Sequence, residues 1–127
     1  MSRAVLDASA LLALLNGEPG ADVVAAHLLD GAIGAVNLSE VVARLVEAGM
    51  PEEAVRSTVG GLGLSVHEFD AEQAHRAGLL RLETRSLGLS LGDRACLALG
   101  ARLEVPVLTA DRSWSGLKVG VKVRVIR

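Results

Sequence analysis

Four acidic residues stand where the chain turns from apolar, strand-like runs into helical ones: Asp7 in Val-Leu-Asp-Ala-Ser, Glu40 in Asn-Leu-Ser-Glu, Asp93 in Leu-Gly-Asp-Arg-Ala and Asp111 in Leu-Thr-Ala-Asp-Arg. A carboxylate embedded in apolar sequence is a costly charge unless something binds it. Two carboxylates about 4 Å apart repel by roughly 4 kcal/mol at an effective dielectric near 20, so a cluster without a cation partly protonates. A shared divalent cation removes that penalty. Oxygen donors with no His or Cys among them favour Mg²⁺, with Mn²⁺ as a substitute, over zinc. Mg²⁺ held by a few carboxylates and several waters suits phosphodiester cleavage, because it polarises a phosphoryl oxygen and lowers the pKa of a bound water.

Helix capping is the competing explanation. Asn37-x-x-Glu40 and Ser90-x-x-Asp93 both have the capping-box spacing, and acids in a first helical turn are favoured by the helix dipole. For any single acid, capping is the commoner role. It leaves unexplained why apolar strands and a nearly all-apolar helix should converge on several acids.

The elements that must position these acids alternate along the chain. Short strands are expected at Arg3 to Leu6, Ala32 to Val36, Leu64 to Phe69, Val105 to Leu108 and Val119 to Ile126. Helices are expected over Ser9 to Leu15, after Pro19, from Asn37 to Gly49, from Pro51 to Gly60, from Asp70 to beyond Glu83, and from Ser90 through Ala101. The last of these is apolar almost all round, as befits a central buried helix. In the final strand Val119, Val121, Val123 and Val125 alternate with Gly120, Lys122, Arg124 and Ile126, the pattern of a strand near a sheet edge. Strand-helix alternation gives an α/β fold with a mostly parallel sheet of about five strands. In such sheets ligands bind beyond the carboxyl ends of the strands, where Asp7, Glu40 and Asp111 are expected.

The 127 residues make one domain, 1–127, with 50% hydrophobic and only 2% aromatic residues. A net charge of −2, from 13 basic and 15 acidic side chains, offers no global attraction for a polyanion. Positive charge for such a partner must be local or come from a second subunit. The single Cys96 excludes an internal disulfide and fits a reducing compartment. The early apolar run is interrupted by Asp7 and lacks a clear cleavage site, and no run is long enough to span a bilayer. A cytoplasmic location without membrane contact is expected.

Taken together, Val-Leu-Asp7-Ala-Ser9-Ala-Leu-Leu, Asn37-Leu-Ser-Glu40-Val, Leu-Gly-Asp93-Arg-Ala-Cys-Leu-Ala and Val-Leu-Thr109-Ala-Asp111-Arg-Ser-Trp114 resemble a PIN domain, and more narrowly the VapC-type toxins of toxin-antitoxin pairs. The resemblance runs over essentially the whole chain. It implies a three-layer α/β/α sandwich and a Mg²⁺-dependent endoribonuclease. Position by position, it makes Asp7 and Asp93 the firmest metal ligands, with Glu40 and Asp111 completing the pocket directly or through water. It also implies a homodimer and a cognate antitoxin protein as partners.

Other polar residues have lesser claims. Ser9 and Thr109 are small hydroxyls suited to holding an acid, a water or a phosphate. Arg94 and Arg112 adjoin site acids and could touch RNA phosphates, although surface ion pairing is the commoner fate. Arg44 has the spacing to pair with Glu40. Cys96 and Trp114 read as packing residues, and His27, His67 and His75 lack metal-ligand spacing.

Two rival readings keep part of the pattern. A non-catalytic binding module would retain the fold, dimer surface and acidic pocket. A phosphoaspartate hydrolase or receiver-like domain would want a second Asp two residues after the first, where Ser9 stands, or a well-placed Lys, which the strand ends lack.

Overall fold

A computed structural model describes all residues, 1–127. Five strands, β1 (Ala4–Leu6), β2 (Gly31–Gly34), β3 (Ser65–His67), β4 (Val107–Thr109) and β5 (Val123–Val125), form one sheet in the order β3-β2-β1-β4-β5. Every neighbouring pair is parallel. Seven helices connect them: α1 (Ala8–Leu15), α2 (Ala21–Ala25), α3 (Ala35–Glu47), α4 (Glu52–Gly60), α5 (Ala71–Leu79), α6 (Arg81–Thr84) and α7 (Leu91–Leu103). The expected α/β sandwich is therefore present.

Alternation along the strands divides the interior in two. Ala4 and Leu6 of β1, Ile33 of β2 and Leu108 of β4 pack with Leu11 of α1, Val24 of α2 and Val41 of α3. Their neighbours Val5, Ala32 and Val107 point the other way, onto Cys96, Leu97 and Leu99 of α7 and onto Trp114. Both faces of the central strands are thus covered, so β1 and β4 are buried at every position. Cys96 and Trp114 are fully buried packing residues, as expected.

The strand order places the functional edge. From β1 the chain steps outward through β2 and β3, then returns to the other side of β1 with β4 and β5. β1 and β4 pair directly, Leu6 against Leu108, so residues just beyond their carboxyl ends share the switch point at which the order reverses.

Several boundaries differ from expectation. Strand β2 ends at Gly34, and α3 starts at Ala35 instead of Asn37. The long helix expected from Asp70 is broken into α5, α6 and a 3₁₀ turn at Arg85–Leu87. In it the Thr84 hydroxyl donates back to the Leu80 carbonyl (2.8 Å), a competitor for backbone pairing that bends helices. The second helix is delayed to Ala21, because Gly20 takes a left-handed turn (φ 94°). The final strand is only three residues long, but its alternation holds through Val125; Ile126, expected on the polar side, is buried next to Gly20.

Helix α7 can lie close to the sheet because residue 100 lacks a side chain. A Cβ on Gly100 would stand 2.5 Å from Val107 Cγ2 and 3.1 Å from Val121 Cγ1. Helix propensity alone favours alanine there, but overpacking a closed contact costs about 1–3 kcal/mol. Gly100→Ala is therefore expected to destabilise the protein in urea denaturation by that amount, and a neutral or stabilising effect would show that α7 does not rest on β4 as described.

Candidate functional site

Asp7 is the first residue after β1 and the N-cap position of α1, although its side chain makes no capping bond. It is 4% exposed. Two hydroxyls hold it: Ser9 Oγ donates to Asp7 Oδ2 at 2.6 Å, and Thr109 Oγ1 donates to the same oxygen at 3.0 Å. Each hydroxyl also accepts a backbone N–H, Ser9 from Ala110 (3.0 Å) and Thr109 from Asp111 (3.1 Å). With both protons directed at Asp7, the 3.2 Å approach of the two hydroxyl oxygens carries no hydrogen bond of its own. Ser9 and Thr109 thus hold an acid, the first of the roles expected of them.

The other acids are anchored differently. Asp93 forms a capping box with Ser90: the Ser90 N–H donates to Asp93 Oδ2 (2.9 Å), and the Asp93 N–H donates to Ser90 Oγ (3.2 Å). Asp111 caps the turn that follows it, its Oδ1 accepting from the Ser113 N–H (2.9 Å) and hydroxyl (2.7 Å). Glu40 lies inside α3 instead of directly after a strand, so the Asn37-x-x-Glu40 capping box is not formed. Asn37 Nδ2 donates instead to Glu40 Oε1 at 2.8 Å, side chain to side chain one turn apart.

Asp7, Glu40, Asp93 and Asp111 line one open pocket of about 410 Å³, together with Ser9 and Arg44. In each acid one oxygen is held, and the other, Asp7 Oδ1, Glu40 Oε2, Asp93 Oδ1 or Asp111 Oδ2, accepts no hydrogen bond from the protein. These are hard donors with no His or Cys beside them in the pocket, the set that fits Mg²⁺ or Mn²⁺. No three of them close into a ready-made coordination group.

Arg94 and Arg112 do not line the pocket. Arg94 Nη1 donates to the Ala77 carbonyl (2.9 Å) and ties α7 to α5, and Arg112 Nε donates to the Arg127 carbonyl (3.2 Å). Arg44 supplies the pocket's basic group: it is exposed at the rim, and the ion pair expected between it and Glu40 is not made. The residue that sequence reasoning undervalued is Asn37, read as a cap. An Asn and a Glu three apart on one helix face was the available signal.

These features, a parallel α/β sheet with acids grouped where the strand order reverses, define an open α/β fold with its pocket at the topological switch point. Residues 4–119 match the PIN domain, and the chain belongs to that family. The same fold occurs in a toxin-antitoxin complex from Klebsiella pneumoniae (TM-score 0.78, 21% identity, 98% of both chains covered). It occurs also in the DNA-bound VapBC complex of Salmonella typhimurium (0.77, 17%, 100% of both). A sarcin-ricin-loop-cleaving VapC toxin of Mycobacterium tuberculosis shares it too (0.74, 18%, 94% of this chain and 98% of that one). No curated protein matches the chain in sequence.

Burial pushes the Asp7 carboxyl up from 3.8 to about 6, and the charges of Asp93 and Glu40 add to the rise; the Ser9 and Thr109 hydrogen bonds oppose it without cancelling it. The Cys96 thiol, buried behind the same acids, is pushed well above its ordinary value first by burial and then by their charges, which makes it inert. For Asp7 the sign is that of a destabilising charge. Between pH 3.8 and about 6 the folded protein keeps a proton that the unfolded chain releases, so stability falls as pH rises through that window and stays lowered above it. Asp7→Asn retains an acceptor for both hydroxyls and removes the charge. In EDTA it is expected to be more stable than the parent by about 3 kcal/mol at most at pH 7.5, with the difference vanishing below pH 4. Equal unfolding midpoints for the two proteins at pH 7.5 would show that Asp7 carries no such penalty.

Proposed function

We propose that the protein is a Mg²⁺-dependent endoribonuclease acting as the toxin of a type II toxin-antitoxin pair in the cytoplasm. One observation carries the reading: four carboxylates from separate parts of the chain line one pocket, each with one oxygen held and the other free. Family membership and the fold shared with toxin chains, one of them described as cleaving the sarcin-ricin loop, support it.

Asp7 and Asp93 would be the principal ligands, with Glu40 and Asp111 completing the shell directly or through water. Bound there, one or two Mg²⁺ ions would polarise the phosphoryl oxygen, lower the pKa of the attacking water and offset charge on the leaving oxygen. The chain's own contribution is positional. Ser9 and Thr109 fix the deepest carboxylate, and the free oxygens of Glu40 and Asp111 can accept protons from pocket waters and align one for in-line attack. Arg44 at the rim can contact a phosphate beside the scissile bond.

A net charge of −2 and a near absence of aromatics leave one subunit a weak grip on RNA. A homodimer with basic residues of both subunits around a shared groove answers this. Exposed Leu79, Leu82, Leu87 and Leu91, in the segment from the end of α5 to the start of α7, give it apolar side chains to bury. The apolar groove between α3 and α4, lined by Leu38, Val42, Val46, Met50, Val55 and Val59, suits the apolar face of an antitoxin segment.

Purified protein free of any inhibitor is expected to cut RNA with Mg²⁺ or Mn²⁺, to stop in EDTA, and to lose about 100-fold or more of its rate in Asp7→Asn or Asp93→Asn. Cleavage that survives EDTA would overturn the mechanism, and metal binding without cleavage would favour a non-catalytic binding module. Sedimentation is expected to show a dimer that Leu82→Glu converts to monomer. A fully active monomer would refute the shared groove. A small companion protein encoded beside the gene should suppress cleavage, and its absence would remove the toxin role while leaving the nuclease.

A further inference from the structure

Glu40 differs from the other three acids in owing its place to another helix. Asn37 is completely buried, and its Nδ2 donates both to Glu40 Oε1 (2.8 Å) and to the Gly92 carbonyl of α7 (3.0 Å). Both partners only accept, so the amide's orientation is fixed: nitrogen toward Glu40 and Gly92, Oδ1 away from them. That Oδ1 is buried without a protein partner, as are both polar atoms of the Gln73 amide. Asn37 and Gln73 line one cavity of about 10 Å³, room for a single water, through which each could be satisfied. The other half of the Asn37 amide is committed to Glu40 and to α7.

Gly92 closes the arrangement from the other side. A Cβ there would overlap the Glu40 carboxylate, lying 2.6 Å from both Cδ and Oε1 and closer still to Oε2. Gly92 sits in the first turn of α7, next to Asp93. The backbone of the element that carries Asp93 therefore touches the carboxylate of Glu40, and Asn37 bonds to both.

We propose that Asn37 and Gly92 form a gauge between α3 and α7 that sets where Glu40 stands relative to Asp93 and so tunes the pocket's affinity for a divalent cation. The inference rests on the metal-site reading above. Asn37 is a positioning residue: it acts through Glu40 and lies outside the pocket. Gly92→Ala is the informative change, because the clashing atoms are the tip of a flexible side chain and the helix itself prefers alanine. The fold survives while Glu40 is displaced.

Calorimetric Mn²⁺ titrations and melting temperatures of the parent, Gly92→Ala, Asn37→Ala, Glu40→Gln and Gly92→Ala/Glu40→Gln separate the possibilities. Gly92→Ala is expected to melt at the parent's temperature or higher yet bind Mn²⁺ about tenfold more weakly. Asn37→Ala should bind more weakly as well, and Gly92→Ala should add nothing in the Glu40→Gln background. Parent-like Mn²⁺ affinity in Gly92→Ala, or an equal loss in the Glu40→Gln background, would overturn the gauge.

If the parent takes up no Mn²⁺, the metal-site reading fails, and the positioning is then read without metal. The Asn37 side-chain amide protons should exchange slowly with solvent in the parent and faster in Gly92→Ala. Equal exchange in the two would refute the positioning itself.

Discussion

The carboxylate of Asp7, taken out of water at the end of the central strand, is the constraint around which the site is built. Burial raises its pKa more than two hydroxyl hydrogen bonds can lower it, so the fold carries a charge that it only partly compensates. The partners depend on tertiary structure. Ser9 comes from the first turn of α1, and Thr109 comes from β4, which lies beside Asp7 only because β1 and β4 pair in parallel register. The same hydroxyls accept the N–H groups of Ala110 and Asp111, so holding the first acid also fixes the chain that carries the fourth.

The four acids are secured by interactions of increasing reach. Asp111 bonds two residues away and Asp93 three residues away, within turns that each could form alone. Asp7 depends on a residue 102 positions distant. Glu40 has a local partner in Asn37, but Asn37 is itself tied across to α7 at Gly92. In every case one oxygen is spent on position and one is left for chemistry. Helix capping, which competes with ligand duty as an explanation of a single acid, occupies only Oδ2 of Asp93 and leaves Oδ1 open to the role proposed for it.

Two glycines on α7 show how much the same substitution depends on what it meets. Gly100 faces the branched side chains of Val107 and Val121, which have nowhere to go, whereas Gly92 faces the movable end of Glu40. The first lets the helix approach the sheet, and the second lets it approach the site. Both lie in the helix whose apolar circumference marked it as central.

The order and type of the main elements were legible in the sequence, because buried strands and amphipathic helices write their periods directly into residue type. Ser90-x-x-Asp93 also read correctly, since a capping box is a local structure. The identical spacing at Asn37-x-x-Glu40 misled, because the Asn37 amide is consumed by Glu40 and by a carbonyl 55 residues away, and α3 begins two residues earlier. The arginines depend on tertiary structure for a related reason. Arg94 and Arg112 adjoin acids in sequence, but their helix and turn direct the side chains to the Ala77 and Arg127 carbonyls, while Arg44, a turn beyond Glu40, reaches the rim. Sequence alone determined which acids were too costly to leave unexplained and which elements would carry them, since both follow from residue type and local spacing. Only the tertiary structure decided which oxygen of each acid is free, which arginine faces the pocket, and that a glycine and an amide on neighbouring helices hold Glu40, because those contacts join segments whose proximity no local pattern encodes.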